Sequence, residues 1–194
     1  MRRVIVDEFL SLDGVAQAPG GADEDTSGGF AHGGWQMQYP GDELGRQSVV
    51  GNIVEAGGFL LGRRTYEIFA AYWPNEGPQE IAEQLNTKPK YVVSTTLAEP
   101  LEWQNSTLVE DVADGVGKLK QADGGDLHVI GSTELVRSLL EHDLVDELRL
   151  MIHPVVLGGG KRIFRDDGVL KQFRLVDGQV TSTGVILARY TPAA

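Results

Sequence analysis

The stretch Phe59-Leu60-Leu61-Gly62-Arg63-Arg64-Thr65-Tyr66-Glu67 joins a short apolar run to a glycine and then to a segment of helical character. An apolar run of strand length that ends at a glycine is typical of a buried strand, and Arg64 to Tyr72 is the predicted helix after it. A strand that leads directly into a helix is the repeating unit of α/β folds. The stretch therefore favours an α/β architecture.

Arg63 and Arg64 open this predicted helix, where backbone N–H groups point outward and favour an anion. A guanidinium group binds phosphate oxygens in a bidentate manner. The pair is therefore a candidate for holding the 2′-phosphate that distinguishes NADPH from NADH, with Gly62 and Thr65 beside it. The alternative is a turn glycine followed by two solvated arginines, and the motif alone leaves both interpretations open.

A second junction of the same kind occurs at Leu127 to Leu135, where a short predicted strand precedes Gly131. Glycine lets a ligand approach the backbone closely, and Ser132 and Thr133 offer hydroxyl and amide donors to a pyrophosphate. Ser132 is equally a predicted N-cap for a helix that ends at Glu141. That capping role is the structural alternative to ligand binding.

A third predicted strand, Tyr91 to Ser94, ends in the hydroxyl residues Ser94 and Thr95. The carboxyl ends of parallel strands meet at one edge of a sheet, and ligands of open α/β sheets bind there. The three strand ends are therefore expected to share one rim. By itself, Ser94-Thr95 is also compatible with an ordinary strand terminus.

Strands and helices alternate along most of the chain, and strands dominate its last part. This order favours a mostly parallel, helix-covered sheet with antiparallel C-terminal strands in a single domain, 1–194. Further strands are predicted at Arg3 to Phe9, Thr107 to Val109, Leu148 to Val156, Phe173 to Val180 and Gly184 to Tyr190. Further helices are predicted at Leu44 to Ala56, at Pro78 to Leu85 and from Asp111 to about Gln121.

Residues 14–41 contain eight glycines and the aromatic residues Phe30, Trp35 and Tyr39, without any periodicity. A segment this long and irregular is usually functional or disordered. The aromatic residues favour an ordered lid, with a plain surface excursion as the alternative. Trp35 and Tyr39 are candidate substrate contacts, because aromatic rings stack on flat heterocycles and also serve simply as core material.

The composition restricts the classes of partner. The net charge of -11, from 28 acidic and 17 basic residues, disfavours nucleic acid and anionic membrane surfaces. The chain has no cysteine, which excludes disulfides, thiolate catalysis and Cys-ligated metal. The four histidines lack metal-ligand spacing, so no metal site is expected. The first strand starts without an apolar leader and no run approaches the roughly 20 residues of a membrane span. We therefore expect a cytoplasmic protein.

Several motifs in fixed order resemble the dihydrofolate reductase superfamily, and more closely the branch related to the C-terminal reductase domain of the bifunctional riboflavin-biosynthesis protein. The resemblance covers nearly the whole chain. It is carried by Val4-Ile5-Val6 with Ser11-Leu12-Asp13-Gly14, by Gly62-Arg63-Arg64-Thr65-Tyr66, by Leu144-Val145-Asp146-Glu147-Leu148, and by Pro154-Val155-Val156-Leu157-Gly158-Gly159-Gly160 with Ile163-Phe164.

The resemblance implies a three-layer α/β/α fold with a mixed sheet of about eight strands, and NADPH lying across the strand ends. It also implies a small-molecule substrate and a homodimer, with Leu150 to Val156 as the apolar segment at or under the interface. Matching motifs place Gly62, Arg63, Arg64 and Thr65 at the adenosine-side phosphates, Ser94 and Thr95 at the ribose, Gly131, Ser132, Thr133 and Leu135 at the pyrophosphate, and Asp13 and Gly14 beside the nicotinamide.

One feature of dihydrofolate reductases is not matched. Their first helix carries an acidic residue that assists protonation, whereas the corresponding position here falls near Arg46, with Asp42 and Glu43 about a turn earlier. Asp13 is then the candidate polar group at the reacting centre, or else only part of an Asp13-Gly14 turn.

Three hypotheses follow from these observations. The first is an NADPH-dependent oxidoreductase acting on a pterin- or pyrimidine-like heterocycle. The second is a non-catalytic NADPH- or ligand-binding protein of the same fold, which the unmatched carboxylate motivates. The third is a partner-binding module with a vestigial pocket, which would bind no cofactor.

Overall fold

One mixed eight-stranded sheet organises the computed structural model, which describes residues 1–39, 43–77 and 79–193. Its strands are β1 (Val4–Ser11), β2 (Gly58–Gly62), β3 (Lys90–Val93), β4 (Ser106–Val109), β5 (Leu127–Ile130), β6 (Glu147–His153), β7 (Phe173–Val180) and β8 (Ile186–Pro192). Their spatial order is β4-β3-β2-β5-β1-β6-β8-β7. The pairs from β4 through β6 are parallel, and β8 pairs antiparallel with both β6 and β7.

Helices cover both faces of the sheet. They are α1 (Glu43–Glu55), α2 (Arg63–Tyr72), α3 (Glu80–Thr87), α4 (Gly117–Gln121) and α5 (Thr133–Glu141). One core, around Phe59 and Leu61, packs against α1, α2 and α3, and the other, around Val6 and Val129, packs against α5. The central strands β1, β2 and β5 are buried on both faces, as their apolar sequences require. The predicted three-layer α/β fold with antiparallel C-terminal strands is therefore confirmed.

Three local predictions differ from the structure. The strand predicted to reach Val156 ends at His153, because the chain turns there toward Pro154. The segment after Asp111 begins as a π-helical turn, Val112–Val116, before α4. A side chain at Gly115 would lie 2.5 Å from the Val109 side chain, so close packing explains this glycine. Pro78, the predicted start of the third helix, lies outside the described residues.

The described helices include none that is both long enough and apolar enough to cross a membrane.

Candidate functional site

A crevice opens between the neighbouring strands β1 and β5 at their carboxyl ends. The two strands pair only as far as Asp7 and Ile130, whereas β1 continues along β6 to Ser11. The helix after β1 packs on one face of the sheet and the helix after β5 packs on the other. Such a reversal of connection is where open α/β sheets bind ligands.

The two glycine junctions predicted from the sequence lie side by side at this rim. The Gly62 N–H donates to the Ser132 hydroxyl at 2.9 Å, and that hydroxyl donates to Thr65 Oγ1 at 2.7 Å. These bonds hold the starts of α2 and α5 together. A Cβ at Gly62 would lie 3.2 Å from Ser132 Cβ, so contact between the junctions, rather than approach of a ligand, requires this glycine.

Ser132 does not cap α5 in the predicted way. It has φ 71° and ψ 57°, in the left-handed region, and its side chain makes no capping bond to the helix. The hydroxyl points instead to Gly62 and Thr65. A left-handed serine is uncommon and needs its surroundings to hold it, which shows that the junction is built around this side chain.

Gly131 presents an open backbone at the same rim. Its φ of 65° favours glycine, and a Cβ there would approach only Thr65, at 3.8 Å. Thr133 follows half-buried in the first turn of α5. Leu135 packs its side chain into the core, so only its main chain can face the rim. The first turns of α2 and α5 thus combine outward N–H groups with open space, as an anion site requires.

Both predicted phosphate-binding arginines are half-exposed beside this rim, and both already have acidic partners. Arg63 pairs with Glu67 at 3.2 Å in α2. Arg64 pairs with Asp25 at 3.3 Å and donates to the Ser27 hydroxyl at 2.9 Å.

The acidic segment 23–27 therefore lies against the start of α2. Lys161 binds the second oxygen of Asp25 at 2.5 Å. Burial works against the charge of Asp25, but hydrogen bonds from Lys161 and Ser27 outweigh it and lower its pKa. A phosphate at Arg64 would have to displace this carboxylate.

Ser94 and Thr95 lie at the end of β3, on the same edge of the sheet. The buried Ser94 hydroxyl accepts the N–H groups of Thr96 and Leu97 at 3.1 and 3.0 Å. It therefore closes the turn after β3, while Thr95 is exposed. Of the two, Thr95 is the residue free to face a ligand.

Asp13 joins two loops. Its carboxylate accepts the Ser11 hydroxyl at 2.6 Å and the N–H groups of Leu157 and Gly158 at 3.1 and 2.9 Å. Burial disfavours the charge, but these bonds outweigh it and lower the pKa of Asp13 to about 2. Gly14 follows with φ 76° and donates to the Ser11 carbonyl. The geometry gives Asp13 a structural task, and the Gly158-Gly159-Gly160 segment is a turn bound to it.

The aromatic residues Trp35 and Tyr39 of segment 14–41 pack around His153 at the end of β6 rather than on the crevice. Trp35 is buried, donates its indole N–H to the Gln17 carbonyl at 2.8 Å and meets His153 edge-on at 5.2 Å. Tyr39 also contacts the His153 ring and donates to the Pro154 carbonyl. The described part of this segment is thus anchored to the end of β6 by its aromatic side chains.

A cavity of about 360 Å³ lies between α1 and strands β1, β6 and β8, and it meets the crevice at Phe9 and Ile130. Asp7 supplies a carboxylate to its wall. Asn52 donates to one oxygen of this carboxylate at 2.7 Å, and His128 Nδ1 lies 2.7 Å from the other. Burial raises the pKa of Asp7, with the His128 contact opposing.

Arg149 completes the polar wall of this cavity. It donates to the side-chain amide oxygen of Asn52 (Oδ1) at 2.8 Å, pairs with Glu147 at 2.6 Å and also pairs with Glu55. Asp7, Asn52 and Arg149 therefore form one connected set of donors and acceptors beside apolar surface. That combination suits a small polar heterocycle.

Sequence reasoning did not find this set. The available signals were a carboxylate inside the apolar strand β1 and a histidine inside β5, whose side chains meet only in the folded sheet. On α1, Glu43 is exposed and pairs with Arg46, so neither residue enters the cavity. Asp42 lies outside the described residues. Within those residues no group of three or more His, Asp or Glu side chains is placed to hold a metal ion.

Comparison with known proteins agrees with this geometry. The RibD C-terminal domain pattern matches residues 2–187. The chain belongs to the RibD C-terminal domain family. A relative from Bacillus subtilis (strain 168), the uncharacterized protein YyaP, is 31% identical over 193 residues, which is 97% of this chain and 94% of the relative. The family resemblance inferred from the motifs is confirmed.

Solved structures show the same fold. The putative riboflavin biosynthesis protein from Shewanella sp. PV-4 superposes with a TM-score of 0.73 at 21% identity, covering 99% of both chains. Dihydrofolate reductase from Enterococcus faecalis, complexed with NADP(H) and RAB-propyl, gives 0.60 at 12% identity, covering 99% of this chain and 97% of the other. The RibD C-terminal family and these neighbours support a reductase-like function.

Proposed function

We propose that this RibD C-terminal family member is an NADPH-dependent reductase that acts on a small pyrimidine- or pterin-like heterocycle. One arrangement of helix starts and cavity supports this proposal most directly. Two helix starts, bound to each other through Ser132, flank a crevice that opens onto a polar cavity. The arrangement offers a phosphate site and a heterocycle site that meet at the carboxyl ends of β1 and β5.

The residues present fit a dinucleotide phosphate. The starts of α2 and α5 would hold the pyrophosphate by their N–H groups, with open backbone at Gly131. Arg63 and Arg64 would bind the 2′-phosphate, and Thr95 would face the adenosine ribose. Segment 23–27 would have to release Arg64, so binding exchanges one anionic partner of this arginine for another.

The heterocycle would lie in the cavity beside Asp7. When bound, NADPH supplies the hydride. The chain itself orients the heterocycle through Asn52 and Arg149 and excludes water with Phe9 and Ile130. Asp7, held by His128, can accept an N–H from the ring and keep a proton within reach of it, since burial favours its protonated form. This assigns to Asp7 the polar role at the reacting centre that the sequence suggested for Asp13.

A non-catalytic NADPH-binding protein is the second candidate. One observation favours it: among the described residues of α1, the carboxylate nearest the expected position, Glu43, is exposed and turned to Arg46 rather than into the cavity. This candidate predicts nucleotide binding without oxidation of NADPH by any heterocycle.

Titration of the purified protein with NADPH and NADH tests the proposal, followed by tryptophan fluorescence and calorimetry. We expect micromolar NADPH affinity and weaker NADH affinity. The double variant Arg63→Ala/Arg64→Ala should lose most of that preference, because the 2′-phosphate loses its guanidinium partners. Arg165→Ala/Arg174→Ala, which removes the same two charges at exposed positions away from the rim, is the matched control and should keep it.

A panel of pterins, ribosylaminopyrimidines and flavins then separates the two candidates by loss of NADPH absorbance. Turnover that falls in Asp7→Asn while NADPH affinity persists supports the reductase. Binding without turnover on the whole panel supports the second candidate. Absence of any nucleotide binding would overturn both.

A further inference from the structure

Glu8 is a buried carboxyl group in the middle of strand β1. It is only 4% exposed, and it lies between Val6 and Leu10 on a core-facing side of the strand. Its Oε1 atom is buried and has no hydrogen-bond partner within residues 1–39, 43–77 and 79–193. A buried polar atom without a partner is costly and requires an explanation. A ligand that supplies the missing partner is one such explanation.

The position of Glu8 points to the ligand. Asp7 and Ile130 form the last pair between β1 and β5, so Glu8 is the first residue of β1 beyond it, where the crevice opens. On the other side it is opposite Leu150 of β6. Glu8 also borders the cavity that we assign to the heterocycle, with its side chain on the face of β1 shared with Val6 and Leu10, opposite to the side chain of Asp7. Glu8 therefore lies between the phosphate-binding helix starts and the heterocycle cavity.

The surroundings of Glu8 disfavour its charged form. Burial is the main cause that raises its pKa well above the ordinary value, and the negative charges that Asp7 and Glu24 carry when ionised raise it further. Glu24 belongs to the segment after β1 and is held by the N–H groups of Gly20 and Gly21 at 2.8 and 3.1 Å. Leu150, the residue of β6 opposite Glu8, is apolar, and so is Ile130, the last residue of β5 before the crevice. A positive charge brought next to Glu8 would reverse this balance.

We propose that Glu8 contacts the nicotinamide end of the cofactor and distinguishes its two redox forms. The uncharged carboxyl group accepts the neutral reduced ring, and the carboxylate pairs with the cationic oxidised ring. This inference rests on the proposed function, because it takes the crevice as the nicotinamide site. It adds a specificity role that the motifs did not suggest.

The consequence is that a proton is released when one redox form of the cofactor binds and not when the other binds. Below the pKa of Glu8 in the free protein, NADP⁺ binding releases the Glu8 proton, so its affinity rises with pH by up to about tenfold per unit. NADPH binding releases no such proton. Protonation of the 2′-phosphate affects both nucleotides alike, so their difference isolates Glu8.

Calorimetric titration in two buffers of different ionisation enthalpy measures the protons released. The probes are NADP⁺, NADPH and 2′-phospho-ADP-ribose, which lacks the nicotinamide. We expect NADP⁺ to release close to one proton more than the other two at a pH below the transition. Equal proton release by NADP⁺ and NADPH at every pH would overturn the inference and leave the proposed function intact.

Glu8→Gln tests the residue itself, since the amide has the size and neutrality of the protonated acid. The variant should bind NADPH within a few-fold of the parent and lose the extra proton release with NADP⁺. Glu141→Gln, at the far end of α5 and exposed, should keep it. Extra release that persists in Glu8→Gln would contradict the assignment. If that variant does not fold, the comparison of nucleotides on the unaltered protein decides. Binding of no nucleotide would overturn the proposed function together with this inference.

Discussion

At the scale of single residues, four acidic side chains differ from the rest because they are buried or have specific partners. The carboxylate of Asp13 accepts hydrogen bonds from two backbone N–H groups and a hydroxyl, and that of Asp25 pairs with a lysine and an arginine. Asp7 and Glu8 lie inside the sheet, where burial raises the pKa of both. The exposed acids keep the surface negative, while these four lie in or beside the crevice, the cavity and the loops that border them. Each is held by specific partners or by burial, so none acts as general surface charge.

Asp13→Asn should destabilise the protein by about 1 kcal/mol, because the N–H groups of Leu157 and Gly158 lose a charged acceptor. Urea unfolding at neutral pH measures the loss. Asp166→Asn, a change of the same charge at an exposed position, is the control and should shift the midpoint little. The stability contributed by Asp13 is fully present above its unfolded pKa and disappears as pH falls toward about 2. A variant as stable as the parent but without turnover on an accepted substrate would return Asp13 to the catalytic role.

At the scale of elements, two strand-to-helix junctions act as one unit. The residues after β2 and β5 are bound through the Ser132 hydroxyl, and the small size of Gly62 lets them approach. Neither α2 nor α5 begins with a side-chain cap. Their first N–H groups are therefore left to a ligand or water, which costs stability and prepares a binding rim.

Gly62→Ala should destabilise the protein by roughly 1–3 kcal/mol, since the new methyl group meets Ser132 at 3.2 Å. Ser132→Gly removes that contact and suits the left-handed backbone, so the double variant should recover part of the loss. A thermal or urea double-mutant cycle measures the coupling. Gly117→Ala, where a Cβ would meet nothing within 4 Å, is the control and should be neutral or slightly stabilising. Strict additivity of Gly62→Ala and Ser132→Gly would show that the junctions do not act together.

At the scale of the whole molecule, an aromatic cluster joins the irregular segments to the sheet. Phe9 of β1, Trp35 and Tyr39 surround the buried His153 at the end of β6. Burial lowers the pKa of His153, so folding favours its neutral form. The connection between segment 14–39 and the sheet is therefore sensitive to acid.

Unfolding free energy should decrease as pH falls below about 6.5, because the unfolded chain then binds a proton at His153 that the folded chain does not. The contribution is fully present above that pH. Urea unfolding across pH 5 to 8 should show a shallower slope in His153→Gln than in the parent. His142→Gln, at an exposed histidine, should leave the slope as it is. An identical slope in all three proteins would contradict this role of His153.

The predicted homodimer is a property of the whole molecule as well. The segment first suspected at the interface, Leu150 to Val156, is largely the interior strand β6. Strand β7 lies at the sheet edge and exposes Leu175, Val176 and Val180, the last by 66%. Exposed apolar edge strands invite pairing with a second copy.

We expect light scattering to give about twice the chain mass of 21.0 kDa. Val180→Lys should shift the mass toward one chain, since a charge opposes burial of this edge. Gln121→Lys, at an exposed position of α4, makes the same change in charge away from this edge and should leave the mass unchanged. A monomeric parent at micromolar concentration would end this expectation.

The alternation of strands and helices, the glycine junctions, the carboxyl-edge rim and the family could be read from the sequence alone, because they depend on local periodicity and on motifs of contiguous residues. Most elements were correct within two residues for that reason. Contacts between distant segments could not be read in this way. Asp7 meets His128 across 121 positions, Gly62 needs Ser132 across 70, and Asp13 meets Gly158 across 145. Only the tertiary structure decided that Asp13 joins loops, that Leu135 faces the core and that Glu8 is buried at the crevice, because the burial and partners of a side chain depend on neighbours that the sheet brings together.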